Sequence, residues 1–230
     1  LNKLRTSRGL LPCPRDIQDS MRQYEECDKC GVPIITPINP LLAEDAQKMM
    51  PQIRFTDFIF LRSGAEELAP EVLVFMNQAR KAQRKLVVMT FSSMPVGERT
   101  MLEMAIEVCT SEVLESPNGP AVIIFASGQD HDPPSEEMVK QAAQLSREGR
   151  LLVLKKSQPF GALFPLIDAV IGQGGLGVTS EALIAGIPII TSGILLLDQR
   201  WWAARVNALG CGSKAVKILR LMQREYPGAP

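Results

Sequence analysis

The chain has 230 residues, 46% of them apolar, enough for one large domain or a domain and a half around a real core. Twenty-five basic and 25 acidic residues cancel, so no whole-chain field points to nucleic acid or to an anionic membrane, and partner choice has to come from a local site. Five cysteines are an odd number in a chain rich in Lys and Glu; they argue against a disulfide framework and for a reducing, cytoplasmic setting. Cys27 and Cys30 form a C-x-x-C, but no second pair follows and the only histidine, His131, is far along the chain, so free thiols are expected rather than a metal site. No stretch approaches the ~20 continuous apolar residues of a membrane span, and the amino terminus has no signal-peptide pattern. The first residue is Leu1 and not Met, as expected of an excerpt of a longer protein or a processed product.

In chain order, residues 1–31 are mixed and polar, and residues 32–61 carry Pro33, Pro37, Pro40 and Pro51, which exclude a long helix and predict a connector with short extended pieces. Residues 71–85 read as a helix whose basic end, Arg80, Lys81, Arg84 and Lys85, complements its own dipole. Five apolar runs follow at 86–89, 121–126, 151–154, 169–171 and 187–191, each of strand length and apolar on both faces, as in strands buried between two helical layers. Helical segments at 98–115, 135–147, 178–185 and 199–209 alternate with them, which gives a doubly wound α/β domain with a parallel sheet. Residues 127–137 form a polar, acidic, proline-containing surface loop; His131 lies there between Asp130 and Asp132 and is read as an exposed loop histidine. Residues 213–226 could form an amphipathic helix, with Lys214, Lys217 and Arg220 on one face and Val216, Leu219 and Met222 on another. It is expected to pack on its own core, with a place at the membrane periphery as the alternative.

The chemistry is concentrated in residues 169–193, AVIGQGGLGVTSEALIAGIPIITSG. A buried strand runs into a turn with glycines at 172, 174, 175 and 177, and a helix opens directly after it. Glycines let backbone approach a ligand closely, and the exposed N–H groups of a helix start attract anions. The turn lies at the carboxyl end of a strand, where open α/β sheets place their ligands. Alone, such a turn is as consistent with close helix-on-sheet packing as with a phosphate cradle.

QGGLGVT followed by AGIP resembles the donor-binding signature of the UDP-glycosyltransferase superfamily, a histidine followed by G-G-x-G-T-T and then, after a short helix, G-x-P. Residues 196–212, LLDQRWWAARVNALGCG, are similar to the family's D-Q-x-x-W-x-x-R-V and L-G-x-G pattern, with Asp198, Gln199, Trp202, Arg205, Val206 and Gly210 in register. LVVMTFSSMP at 86–95 resembles the first donor-domain strand and its F-G-S-M turn, FTDFIFL at 55–61 the segment leading into it, and residues 1–14 the end of the acceptor domain. The likeness runs through nearly the whole chain and is strongest to the sterol glucosyltransferase-like branch. It implies a GT-B fold, two Rossmann-like domains across a cleft. Residues 1–84 would then be the tail of the acceptor domain and the interdomain linker, and 85–230 the UDP-sugar donor-binding domain. It further implies transfer of a hexose, with glucose foremost, from a UDP-sugar to a sterol or similar lipophilic hydroxyl held by the missing N-terminal domain, with no metal and no other cofactor. Carried over by position, Ser93, Gln173, Gly175 and the amides around Gly177, Val178 and Thr179 would face the diphosphate, and Asp198 with Gln199 the sugar hydroxyls. Glu181 stands where plant relatives place a ribose-binding glutamate, a carboxylate suited to two vicinal hydroxyls; as a plain helix-surface acid near a helix start it would be equally at home.

Two residues depart from the pattern. Gln173 replaces the histidine beside the donor phosphate; it keeps a neutral N–H donor and loses charge assistance, and a charge-assisted hydrogen bond is roughly twice as strong as a neutral one. Ser92 replaces the glycine of the F-G-S-M turn and adds a Cβ close to the ligand. The family's general base, a histidine near the start of the acceptor domain, has no counterpart in this chain, and His131 does not match its position. No catalytic residue is therefore assigned within the chain. The alternative reading is a non-catalytic glycosyltransferase-like scaffold or protein-partner-binding module with a degenerate donor site.

Overall fold

The computed structural model describes residues 2–9, 20–60, 67–91, 94, 96–111, 118–125, 133–193 and 197–217. By contact the chain divides into two compact units, Leu1–Leu61 and Arg62–Pro230. In the first unit, helices α1 (Asn2–Ser7) and α2 (Ser20–Lys29) precede strand β1 (Ile34–Thr36), helix α3 (Glu44–Met49) and strand β2 (Ile53–Phe55). The prolines confine the unit to short pieces, as expected. Pro40 opens a single 3-10 turn whose Asn39 side chain accepts from the Leu41 N–H at 3.0 Å. β1 and β2 pair in parallel, Ile34 opposite Ile53, and Leu42, Ala43 and Ile53 are buried. The C-x-x-C straddles the end of α2, with Cys27 half-buried, Cys30 exposed and both thiols free.

In the second unit, α4 (Pro70–Lys81) leads into β3 (Leu86–Thr90), followed by α5 (Glu98–Thr110), β4 (Ala121–Phe125), α6 (Glu136–Arg147), β5 (Leu151–Leu154), α7 (Phe160–Leu163), β6 (Ala169–Gly172), α8 (Leu176–Ala185), β7 (Ile189–Gly193), α9 (Leu197–Ala208) and β8 (Val216–Lys217). The six strands are parallel in the order β5-β4-β3-β6-β7-β8. Between β3 and β6 the order reverses direction, so the carboxyl ends of these two strands frame a crevice of the kind in which doubly wound sheets bind ligands.

Alternation along each strand divides the core in two. One side packs Leu86, Val88, Ile123, Val170 and Ile189 against Met76, Phe164, Val178, Ala182 and Val206, which come from α4, the turn after α7, α8 and α9. The other packs Met89, Val122, Ile124 and Ile171 against Met101, Met104, Ala105, Cys109, Ala142 and Leu145 of α5 and α6. At about 1.5–3 kcal/mol for each large apolar side chain removed from water, these two layers hold the sheet together. α4, on the linker side of residue 84, supplies Val72, Phe75, Met76 and Ala79 to the first layer and so belongs structurally to this unit.

The strands stand within two residues of their sequence-based limits; β7 begins at Ile189 because the Ile187 N–H still closes the end of α8 on the Ala182 carbonyl and Pro188 has no N–H to give. Helix ends differ more. α4 stops at Lys81 instead of 85, where Gln83 adopts φ 54° and the Ala82 and Arg84 N–H groups close the last carbonyls. The helix expected at 213–226 is corrected at its start: Val216–Lys217 form β8, paired with Ser192 and Gly193, because a β-branched residue beside a free strand edge gains ladder bonds there. The rest of that segment, like His131 and its two aspartates, lies outside the described residues. Among those described, no helix is long and apolar enough to cross a membrane.

Candidate functional site: the carboxyl ends of β3, β6 and β7

The glycine turn is shaped by its neighbours. β6 ends at Gly172, where a Cβ would lie 3.1 Å from the Thr90 carbonyl and 3.1 Å from Val178 Cγ1, so close packing of α8 on the sheet requires glycine. Gly174 has φ +74°, and a Cβ on it would lie 2.5 Å from Thr191 Cγ2, 3.1 Å from Thr191 Oγ1 and 3.4 Å from the Gln199 carbonyl. The turn is thereby wedged between β7 and α9. Gly175, extended at φ −70° and ψ 159°, caps α8 without a side chain to satisfy the first amides. Its carbonyl accepts from the Thr179 N–H at 3.0 Å, which leaves the N–H groups of Leu176, Gly177 and Val178 as the unclosed donors of a helix start. Gly177 is exposed and has nothing within 4 Å of a would-be Cβ, so the helix end is open to solvent on that side.

Around this turn, buried polar atoms without hydrogen-bond partners are concentrated: among the described residues, Gln173 Oε1, Thr179 Oγ1, Thr191 Oγ1 and Ser192 Oγ. Their side chains are 7%, 1%, 0% and 0% exposed, and each orphaned atom costs roughly 1–3 kcal/mol of desolvation. Each such group calls for a partner, whether an ordered water or a ligand. Gln173 and Thr179 belong to the turn and first turns of α8, and Thr191 faces the turn at Gly174; the partial charge of that helix start favours an anion, so the arrangement can receive a phosphate-like group from backbone N–H donors and neutral hydroxyl and amide groups.

The structure brings most of the sequence-selected residues to this end of the sheet, with changes in role. Gln173 is buried beside the turn, its Nε2 3.4 Å from the Cβ position of Gly175. Val178 packs its side chain into the core and offers only its amide. For Thr179 the amide is engaged and the hydroxyl is the free group. Glu181 is half-buried on α8. Asp198 is exposed in the first turn of α9, while Gln199 is 4% exposed with its Nε2 3.4 Å from Met94 Sδ, so its amide is turned toward the loop after β3. Trp202 is buried, Trp201 stands edge-on to it at 4.6 Å, and the Arg205 guanidinium lies 5.4 Å from the Trp201 ring centroid, which fixes the carboxyl half of α9. Ser93 and Ser92 lie outside the described residues.

Thr191 and Ser192 were not singled out by sequence. The signal was there, because two hydroxyl residues close an otherwise apolar strand, ITSG, at its ligand-binding end. At the opposite end of the sheet, the Lys85 ammonium meets Asp168 Oδ1 at 2.8 Å and the Leu86 N–H donates to Asp168 Oδ2 at 2.9 Å, tying the starts of β3 and β6 together. Partial burial pushes the Asp168 carboxyl up, but the hydrogen bonds from Lys85 and the Leu86 amide outweigh it and hold the group below the usual carboxylate range. The same hydrogen bond raises Lys85.

No family model matches the chain. A sterol 3-beta-glucosyltransferase of Pichia angusta is 30% identical over 189 residues, 81% of this chain and 14% of the relative. One of Debaryomyces hansenii is 27% identical over 221 residues, 95% of this chain and 13% of the relative. The crystal structure of Os79 from O. sativa, in complex with UDP and deoxynivalenol-3-glucoside, superimposes with a TM-score of 0.57 at 14% identity, covering 84% of this chain and 45% of that one. The chain thus spans a small part of the curated relatives it matches and about half of a solved glycosyltransferase chain. The fold is of GT-B type, and the chain is similar to members of the UDP-glycosyltransferase superfamily. Within that superfamily its likeness is to the sterol glucosyltransferase-like branch.

Proposed function

We propose that this chain is the donor-binding portion of a glycosyltransferase that takes a hexose, glucose by the names of its relatives, from a UDP-sugar to the hydroxyl of a sterol or similar lipophilic acceptor. The observation that carries the reading is the open start of α8 with Thr179 Oγ1 and Gln173 Oε1 buried and unpartnered beside it. In this reading the diphosphate sits over α8, its charge met by the Leu176, Gly177 and Val178 amides and the Thr179 hydroxyl. As the sugar leaves, negative charge grows on the departing UDP, and a fixed helix end stabilises that charge without reorganising. In this reading Asp198 serves the sugar hydroxyls, Glu181 the ribose and Ser93 the diphosphate, as the resemblance implies. No metal ion is called for. The base that deprotonates the acceptor belongs to another part of the parent protein, so the residues before α4 serve as linker and acceptor-domain tail and the chain by itself binds donor without turnover.

Calorimetric titration with UDP and UDP-glucose tests this. Thr179→Val removes an orphaned hydroxyl, so folding stability should hold or rise while UDP affinity falls about 10-fold or more, the value of a hydrogen bond to a charged group. No heat at millimolar UDP, or a Thr179→Val chain that binds as well as the parent, contradicts it. Gln173 favours a second reading, a scaffold with a decayed donor site, because glutamine stands where the family's pattern has histidine. Gln173→His separates the two: a pronounced gain in UDP affinity marks decay, and a loss marks a working site adapted to glutamine.

A further inference from the structure

The C-x-x-C of the first unit plays no part in the donor site, and the backbone around it is closely fixed. The Cys30 N–H donates to the Glu26 carbonyl at 3.0 Å, the bond of a helix interior, so Cys27 and Cys30 stand about one turn apart on one face of α2. Directly afterwards the helix is closed. Gly31 adopts φ +64°, its N–H donates to the Asp28 carbonyl at 3.0 Å, and the Val32 N–H reaches back to the Cys27 carbonyl at 2.8 Å. These are the two bonds with which a left-handed glycine ends a helix, and they hold the two cysteine backbones in place relative to each other. Positions three apart on an α-helix have Cα atoms about 5 Å apart, inside the roughly 4.4–6.8 Å that a disulfide spans. The two thiols differ in access: both are free, Cys30 exposed and Cys27 half-buried.

We propose that Cys27 and Cys30 form a redox-responsive clasp, a dithiol that a small-molecule disulfide of the glutathione type converts to an intramolecular disulfide across the last turn of α2. Exposed Cys30 exchanges first. Its sulfur, as thiolate, attacks one sulfur of the small disulfide, that S–S bond breaks, and the departing sulfur takes up a proton as the first small thiol. Cys27, on the same face but too covered to meet the reagent first, then attacks the Cys30 sulfur of the mixed disulfide and releases the second small thiol. In sum the dithiol gives up two electrons and two protons, and the small disulfide takes up both. Because only side chains are joined, the Gly31 and Val32 hydrogen bonds remain, and the new ring clamps the helix end that they close. Val32 and Pro33 lead straight into β1, so oxidation also fixes the entry to the two-stranded sheet.

The test incubates the full 230-residue chain with oxidised glutathione at pH 8, blocks the remaining thiols with iodoacetamide and digests with trypsin. Cleavage after Lys29 falls between the two cysteines, so the clasp is read as residues 23–29 held covalently to residues 30–48, a pair that reduction should separate. Hydrogen exchange of the Gly31 and Val32 amides should slow several-fold in the oxidised chain, because the clasp opposes fraying of the helix end. Cys27→Ser should stop at a lasting mixed disulfide on Cys30, and Cys30→Ser should take up glutathione at residue 27 several-fold more slowly. Glutathione retained on both cysteines with no linked peptide pair overturns the proposal. So does a covalent dimer through Cys30 in place of that pair, or unchanged exchange at Gly31 and Val32 once the pair has formed.

Discussion

Gly174 and Gly177 stand three residues apart in one motif, and the structure predicts opposite fates for them. In Gly174→Ala the new Cβ meets Thr191 Cγ2 at 2.5 Å and Thr191 Oγ1 at 3.1 Å, in a turn at φ +74°. The left-handed conformation costs about 1–2 kcal/mol for a non-glycine residue, and overpacking of a buried site adds about 1–3, so roughly 2–5 kcal/mol of stability should be lost. Gly177→Ala has nothing within 4 Å of its Cβ and lies inside α8, where alanine is favoured by about 0.5–1 kcal/mol. Under the proposed function its methyl group enters the space the diphosphate would occupy, so it should keep or gain stability and lose UDP. Urea unfolding reads the midpoint, and calorimetry reads the ligand. A third variant isolates the clash: Thr191→Ser deletes Cγ2 and should recover the steric part of the Gly174→Ala loss while leaving the φ part. Equal midpoints for Gly174→Ala and the parent, or no recovery in the double variant, would refute the wedge between β7 and α9.

Asp168 has its folded pKa lowered, so its contribution is present above the unfolded value of about 3.9 and disappears as pH falls through the folded value. The Tm gap between the parent and Asp168→Asn should therefore be full at pH 6 and shrink as the solution is acidified below the unfolded value of about 3.9. Lys85 is raised, so its side of the pair is lost only in strong alkali. Burial pushes the Cys109 thiol up to about 11, so at pH 8 a thiol reagent should label exposed Cys30 promptly and reach Cys109 only on unfolding. Labelling of Cys109 in native buffer at the rate of Cys30 would contradict its place on the buried face of α5. Gly212→Ala would put a Cβ 2.5 Å from the Ile189 carbonyl and 2.9 Å from Val206 Cγ2, and should lower the urea midpoint by the equivalent of about 1–3 kcal/mol.

The buried strands were legible because residues covered on both faces must be apolar, and β3 to β6 read as unbroken apolar runs. The helix that follows the glycine turn and the crevice at the strand ends came with them. Helix limits were less legible, because Lys81 ends α4 through backbone bonds at Ala82 and Arg84 and a left-handed Gln83 that no residue type announces. β8 was hidden for a related reason: two residues become strand only because β7 presents a free edge beside them. At the site, motif spacing found Gln173, Gly175, Gly177 and Thr179, yet could not show that the Thr179 amide is already engaged or that the Gln199 amide turns to Met94. Thr191 escaped because its part depends on Gly174, distant in sequence and pressed against it in space.

The most direct test is a map of backbone amide shifts of the isotope-labelled chain during titration with UDP. The account predicts saturable shifts that are largest at Leu176, Gly177 and Val178, with smaller ones at Thr191 and Ser192. Absence of shifts at millimolar UDP, or shifts centred on Lys85 and Asp168 at the opposite end of the sheet, would contradict it.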